Sequence, residues 1–161
     1  MQEQRLSFRD KELLIQQELA RVVAAQGSLR ERVPRDVREI LDYANSHLFD
    51  EGLNVDAIRR ACRMRNHNIS SRFKLVVGVS IRDYVEGQRM EAAGRLLGNP
   101  ELEIYLISAS LGYSHQESFS RAFRRRFGCT PSEYRSRRLA GGEDEVSRIS
   151  VKRQDQDSVY D

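Results

Sequence analysis

Two stretches of this chain repeat each other at a fixed interval, and a fold for it must contain two copies of one small unit. In LNVDAIRRACRM (53–64), Val55, Ile58 and Cys62 are spaced 3 and 7 apart. In LEIYLISASLGY (102–113), Ile104, Ile107 and Leu111 carry the same spacing 49 residues later. ISSRFKLVVGVSIRDY (69–84) then matches FSRAFRRRFGCTPSEY (119–134) at an offset of 50, pairing Ile69/Phe119, Phe73/Phe123, Gly78/Gly128, Ser80/Thr130 and Tyr84/Tyr134. Matched residue classes in one register mark an internal duplication. The step from 49 to 50 places one extra residue in the second copy's turn.

Each copy reads as a helix-turn-helix. A short helix presents three apolar residues on one face, a turn follows (Gly112-Tyr113 in the second copy), and a second helix buries an i, i+4 pair, Ile69/Phe73 or Phe119/Phe123. Such a helix keeps most of its surface outward, as a helix that enters a DNA major groove must. Gly78 and Gly128 stop it, and Ser80 and Thr130 cap the next helix, with Ile81 and Pro131 at its first position. Between the copies, residues 80–97 read as one linker helix ended by Gly98-Asn99-Pro100. Eighteen helical residues span about 27 Å, close to the roughly 34 Å between successive major grooves on one face of DNA. Gly87 and Gly94 allow it a bend.

The remaining sequence is helical or polar. Residues 10–26 predict a helix with Leu14, Leu19, Val22 and Val23 on one side, stopped by Gly27. Residues 34–49 predict another, with Pro34 at its first position and Val37, Ile40, Leu41, Ala44 and Leu48 on its buried face. Scarce strand-type runs and few prolines argue for an all-α protein. The tail after residue 138 is polar and acidic, and its composition predicts disorder. The expected organisation is an N-terminal helical extension over 1–32, a DNA-binding domain over 33–138 and an acidic tail over 139–161. Within the domain the first helix-turn-helix spans about 53–79, the linker helix 80–97 and the second helix-turn-helix about 103–128.

Charge points the same way. The net charge of +3 is an average of a basic centre, +5 over 33–138, and a tail of −3 over 139–161. Residues 57–82 hold seven basic side chains and no acid, and 118–132 hold Arg121, Arg124, Arg125 and Arg126 and no acid. One-sign blocks attract polyanions through phosphate contacts and counterion release. The opposing reading is a solvated, Arg-rich face, and on charge alone the two are evenly matched.

Other chemistries lack their residues. Cys62 and Cys129 occupy apolar positions of the repeat, which reads as buried structural thiols. No Cys-x-x-Cys spacing accompanies the three histidines, His47, His67 and His115, so neither a metal site nor a cofactor is expected. No nucleophile–base constellation or phosphate loop is present, which argues against an enzyme. The longest apolar stretch, Leu75 to Val79, is far too short for a membrane span, and the first residues lack a secretory signal, so a cytoplasmic protein is expected.

The segment ISASLGYSHQESFSRAFRRRFGCTPSEYR (107–135) resembles the second helix-turn-helix of AraC/XylS-type transcription regulators. The positions that carry the likeness are Ile107, Ser108, Gly112-Tyr113, Phe119, Phe123, Gly128, Thr130-Pro131 and Tyr134-Arg135, and Arg89-Met90-Glu91-Ala92-Ala93 resembles the family's linker-helix motif. The likeness extends over about 33–138. It implies a seven-helix DNA-binding domain with two tandem units, and a transcription regulator, commonly an activator that also touches RNA polymerase. It implies base contacts from Asn66, His67, Ser70 and Ser71 in the first unit and from His115, Gln116, Glu117, Ser120 and Arg121 in the second, with Lys74, Arg124 and Arg125 nearer phosphates. The first unit departs from the pattern: Arg63 stands where a turn glycine is usual, Arg65 where a serine caps the reading helix, and Arg59 where a small residue packs. A non-glycine residue at positive φ is costly, so this turn is expected to differ, with Asn66 as the cap. Thirty-two leading residues cannot bury a sensor domain's core, so the chain resembles the short, stand-alone members.

The leading expectation is a sequence-specific regulator binding one bipartite site on double-stranded DNA as a monomer. The competing one is a protein-interaction module that recruits a partner through the 10–26 helix and the tail. The 10–26 helix itself has three readings, in order: packing on the domain, forming a dimer, or a remnant connection to a lost sensor.

Overall fold

The computed structural model describes residues 5–63 and 68–141. Among them the chain is all helical: α1 (Phe8–Ala24), α2 (Gly27–Arg32), α3 (Arg35–Ser46), α4 (Val55–Ala61), α5 (Ile69–Val77), α6 (Ile81–Leu97), α7 (Ile104–Ser110), α8 (Gln116–Phe127) and α9 (Pro131–Leu139). The expected tail beyond residue 141 lies outside the described residues.

The duplication holds at the level of helix boundaries. α4 and α7 begin and end 49 residues apart, while the ends of α5 and α8 and the starts of α6 and α9 are 50 apart. Local signals account for those boundaries. Asn54 accepts from the Ala57 amide at the start of α4, and Ser80 from the Asp83 amide at the start of α6. Thr130 and Glu133 satisfy each other's backbone amides in a capping box, with Pro131 at the first helical position of α9. Gly78 and Gly128 close α5 and α8 in the left-handed conformation.

Two hydrophobic cores form, and α6 belongs to both. Its first turns give Ile81, Tyr84 and Val85 to a core with Val37, Ile40, Leu41, Ala44, Leu48, Ile58, Ile69 and Phe73. From Met90 onward it gives Ala92, Ala93, Leu96 and Leu97 to a second core with Leu102, Ile107, Leu111, Phe119, Phe123 and Phe127. A helix buried over different parts of its circumference at its two ends cannot show one apolar stripe, which is why its sequence reads as mixed. Gly94 lets it lie tight against α9: a Cβ there would stand 3.1 Å from the Tyr134 hydroxyl. α9 holds the C-terminal end of α6 and the connection after it, since Arg138 donates to the Gly94 carbonyl and Arg135 to those of Leu97 and, beyond α6, Leu102 at 3.1 and 2.6 Å.

Several expectations shift in detail. The N-terminal helix is two helices: α1 ends at Ala24, and Gly27 opens α2, because the backbone of Ala25 and Gln26 stays near-helical through the junction. α1 joins the second core through Ile15, Leu19 and Val22, while Leu14 and Val23 are only half-buried. It is fastened to the α6–α7 connection by Lys11–Glu103 at 2.6 Å and by the Leu6 amide on Glu101 at 2.9 Å. Of the three readings of this helix, the structure has it packed on the domain. Pro34 caps α3 instead of opening it, and α3 ends at Ser46, leaving Leu48 buried in the following loop. Cys129 is buried, whereas Cys62 is half-buried with its thiol 3.7 Å from the Glu39 carbonyl, and Val79, the counterpart of Cys129, is exposed.

Candidate nucleic-acid interface

The second unit presents the fuller surface. His115 sits just before α8 and is exposed, as are Gln116 and Glu117 in its first turn. Glu117, Arg121, Arg124 and Arg125 follow at i, i+4, i+7 and i+8 and share the side opposite Phe119 and Phe123. Ser120 lies half-buried at the edge of that face. Arg121 makes no ion pair among the described residues, so the i, i+4 pairing with Glu117 that could have absorbed its charge is not formed. Arg125 does have a partner, Glu86 of α6 at 2.8 Å, which holds its guanidinium firmly protonated. α8 buries more than the expected pair: Ala122 and Phe127 join Phe119 and Phe123 because α8 lies between α7, α6 and α9.

The first unit is sparer. Asn66 and His67 lie outside the described residues, as does the proposed capping role of Asn66. α5 starts at Ile69, whose counterpart Phe119 is already the fourth residue of α8. Ser71 and Lys74 are exposed on the side opposite Ile69 and Phe73, and Ser70 is half-buried. Arg72 is turned to Asp36 of α3, and its hydrogen bond holds that carboxyl below the usual carboxylate range. Arg63 lies in the left-handed region at φ +50°, as its counterpart Gly112 does at φ +85°. The rest of the first turn, where a difference in shape is expected, lies outside the described residues. At Arg63 the chain places a side chain in a conformation that disfavours one.

Two features escaped the sequence. Leu75 is 83% exposed and lies at the middle of the outward side of α5, one turn from Ser71. It sits in the apolar run Leu75 to Val79, which looks like core by composition. Arg89 is buried in mid-helix, and burial pulls its guanidinium below the ordinary arginine range. Its place in the linker motif was visible, but its carbonyl partners come from a loop that periodicity does not describe.

A family model described as a helix-turn-helix domain matches residues 58–137. The regulatory protein SoxS of Escherichia coli (strain K12) is 32% identical over 101 residues, which cover 63% of this chain and 94% of SoxS. The chain belongs to the AraC/XylS family of transcription regulators. The arabinose operon regulatory protein of the same strain is 31% identical over 140 residues, 87% of this chain but 47% of that protein, so the chain spans about half of that relative's length. Among solved structures, the C-terminal domain of AraT, a response regulator from Geobacillus stearothermophilus, superposes with a TM-score of 0.62 at 30% identity, covering 65% of this chain and 87% of that one.

The AraC/XylS resemblance implied seven helices, and α3 to α9 are those seven. Arg135, which the family motif carries after its tyrosine, is occupied with the carbonyls of Leu97 in α6 and Leu102 in the α6–α7 connection and is part of the scaffold. The outward side of α8 carries the exposed cations Arg121, Arg124 and Arg125. No described helix is long and apolar enough to cross a membrane.

Proposed function

We propose that the protein is a sequence-specific regulator that binds one bipartite site on double-stranded DNA as a monomer, with α5 and α8 in successive major grooves. The observation that carries this reading is the pairing of two helices whose ends match in the repeat, each with the side opposite its buried aromatic or aliphatic pair exposed, on one continuous connecting helix. α6 has 17 residues, about 26 Å at 1.5 Å each, the order of the roughly 34 Å groove repeat.

Roles follow from chemistry and position. Arg121 offers a planar fork suited to guanine O6 and N7. Gln116 suits adenine, and His115, Glu117 and Ser120 line the same approach; Ser70, Ser71, Asn66 and His67 are their counterparts in the first unit. Lys74, Arg124 and Arg125 serve phosphates, and for Arg125 a phosphate would compete with Glu86. The protein is non-catalytic in this reading. It acts as an activator in the cytoplasm, with RNA polymerase as its second partner. The interaction-module alternative loses its main element, because the apolar stripe of α1 is buried in the second core.

Selection of bound sites from random DNA tests the proposal, and two boxes about one helical turn apart are expected. Affinity for the selected site should fall steeply with salt, by a log–log slope of about −0.9 per phosphate contacted. A single short box, or binding indifferent to both salt and sequence, would overturn it.

A further inference from the structure

The two units touch each other directly, and α6 is not their sole connection. The loop after α3 meets the turn of the second unit. Arg89, 8% exposed, reaches from α6 into this contact, donating from Nε to the Leu48 carbonyl and from Nη2 to the Asp50 carbonyl, both at 2.8 Å. The face of its guanidinium lies over Tyr113, 5.5 Å from the ring centre. The approach is close enough that a Cβ on Gly112 would stand 2.8 Å from Arg89 Nη2, 2.9 Å from the Phe49 carbonyl oxygen and 3.0 Å from that of Asp50. Ser114 donates to Glu51 at 2.6 Å at the rim, and the Phe49 side chain packs against both cores.

A connecting helix fixes the distance between its ends but resists rotation of what hangs from them only as far as its packing does. Each unit rests on a different part of α6, so a rotation of one about the α6 axis would not break that helix. It would break the Arg89 fork. The fork is planar and rigid, binds two carbonyls of the α3–α4 loop, and has its guanidinium carbon over a ring of the second unit, which together favour one arrangement. Lysine could satisfy the charge but not the two-carbonyl geometry.

We propose that this junction, with Arg89 as its positioning residue, sets the relative rotation of α5 and α8 and thereby the number of base pairs the protein tolerates between its two boxes. The inference rests on the two-box reading above. One inserted base pair moves a box about 3.4 Å along the duplex and about 35° around it. A locked junction rejects that rotation, and a loosened one accepts it.

The experiment compares wild type with Arg89→Met, which keeps an unbranched apolar stem, and with Arg89→Lys. Duplexes carry the two boxes at the selected spacing and at one base pair more or fewer. Wild type is expected to prefer the selected spacing by roughly tenfold or more, and Arg89→Met and Arg89→Lys to reduce that preference to about threefold or less, with affinity for the second box alone unchanged. The exposed pair Glu51→Ala with Ser114→Ala, too peripheral to unfold the domain, should flatten the spacing profile in the same direction by less. Equal weakening at every spacing, or an unchanged profile in both the Arg89 and the rim variants, would overturn the inference. A readout without DNA separates its failure from that of the two-box reading. In a Cys62→Ala, Cys129→Ala background with spin labels at Ser71→Cys and Arg124→Cys, Arg89→Met should broaden the distance distribution between α5 and α8. A distribution as narrow as wild type overturns the junction's role whatever the DNA results.

Discussion

The two helix-turn-helix units match at both ends of their first helices and at the ends of their second, yet they differ in nearly every property that makes such a unit strong. The second has glycine at its left-handed turn and the first has Arg63. The second buries Ser108 where the first carries a half-buried Arg59 beside Asp56. α8 runs for 12 residues and α5 for 9. Phe119, Phe123, Phe127 and Tyr134 form one aromatic cluster in the second unit, which α1 also backs, against a single Phe73–Tyr84 pair at 5.9 Å in the first. The outward side of α8 carries Arg121, Arg124 and Arg125, while that of α5 carries Ser71, Lys74 and Leu75. A duplication that keeps its skeleton and diverges in this way predicts a division of labour, in which the second unit anchors stability and affinity and the first adjusts them.

The largest effect that would break this comparison is in the cores. Phe123 has ring neighbours at 5.8, 4.4 and 5.2 Å and no exposed surface. Phe123→Ala should cost about 3–5 kcal/mol, the range for emptying a buried phenyl site. Phe73→Ala, with one aromatic neighbour, should cost less. Thermal unfolding of both variants measures this. If Phe73→Ala proves the more damaging, the second unit is not the anchor.

Next come the reading faces. Arg121→Ala should lose about 1–3 kcal/mol of binding and relax preference at one base position. Ser71→Ala, at the equivalent place in α5, should lose under about 1 kcal/mol, within the ordinary range of a neutral hydrogen bond. Binding to a panel of single-base variants decides it. Uniform weakening by Arg121→Ala across the panel would make that residue a phosphate contact, and the two faces would then differ in charge alone.

How much of this was legible follows from what repeats. Val55/Ile104, Phe73/Phe123 and Ser80/Thr130 recur at a fixed interval because each does the same local job, so the helices, caps and buried pairs could be read from the order of the amino acids alone. What is made between elements could not. The Arg89 fork depends on carbonyls of Leu48 and Asp50 that come close only after both units have formed. Ile15 supplies the α1 core face that Leu14 was expected to supply, because the partner helix α6, and not the spacing within α1 alone, decides which side is covered. Leu75 defeats hydrophobic reasoning altogether, being an apolar residue of an apolar run that faces outward.

A smaller effect tests the turns. Arg63→Gly should stabilise the protein by about 1 kcal/mol, the lower end of the penalty for a side chain in the left-handed region, while Gly112→Ala should destabilise it by more, since it adds both that penalty and a clash with Arg89 and the Phe49 carbonyl. Differential scanning calorimetry gives both. A lower melting temperature for Arg63→Gly would show that the arginine contributes contacts outweighing its backbone cost.

The smallest effect concerns Leu75, whose counterpart in the second unit is Arg125. Leu75→Arg gives α5 the residue α8 carries at that place. The side chain is 83% exposed, so stability should move by no more than about 0.5 kcal/mol in either direction. Binding should change in its dependence on salt more than in its sequence preference, because a new cation beside Lys74 reaches phosphate before it reaches a base edge. The log–log salt slope should steepen by about 0.9, one phosphate's worth. An unchanged slope would place the middle of α5 away from the duplex backbone, and the first unit would then differ from the second in orientation as well as in strength.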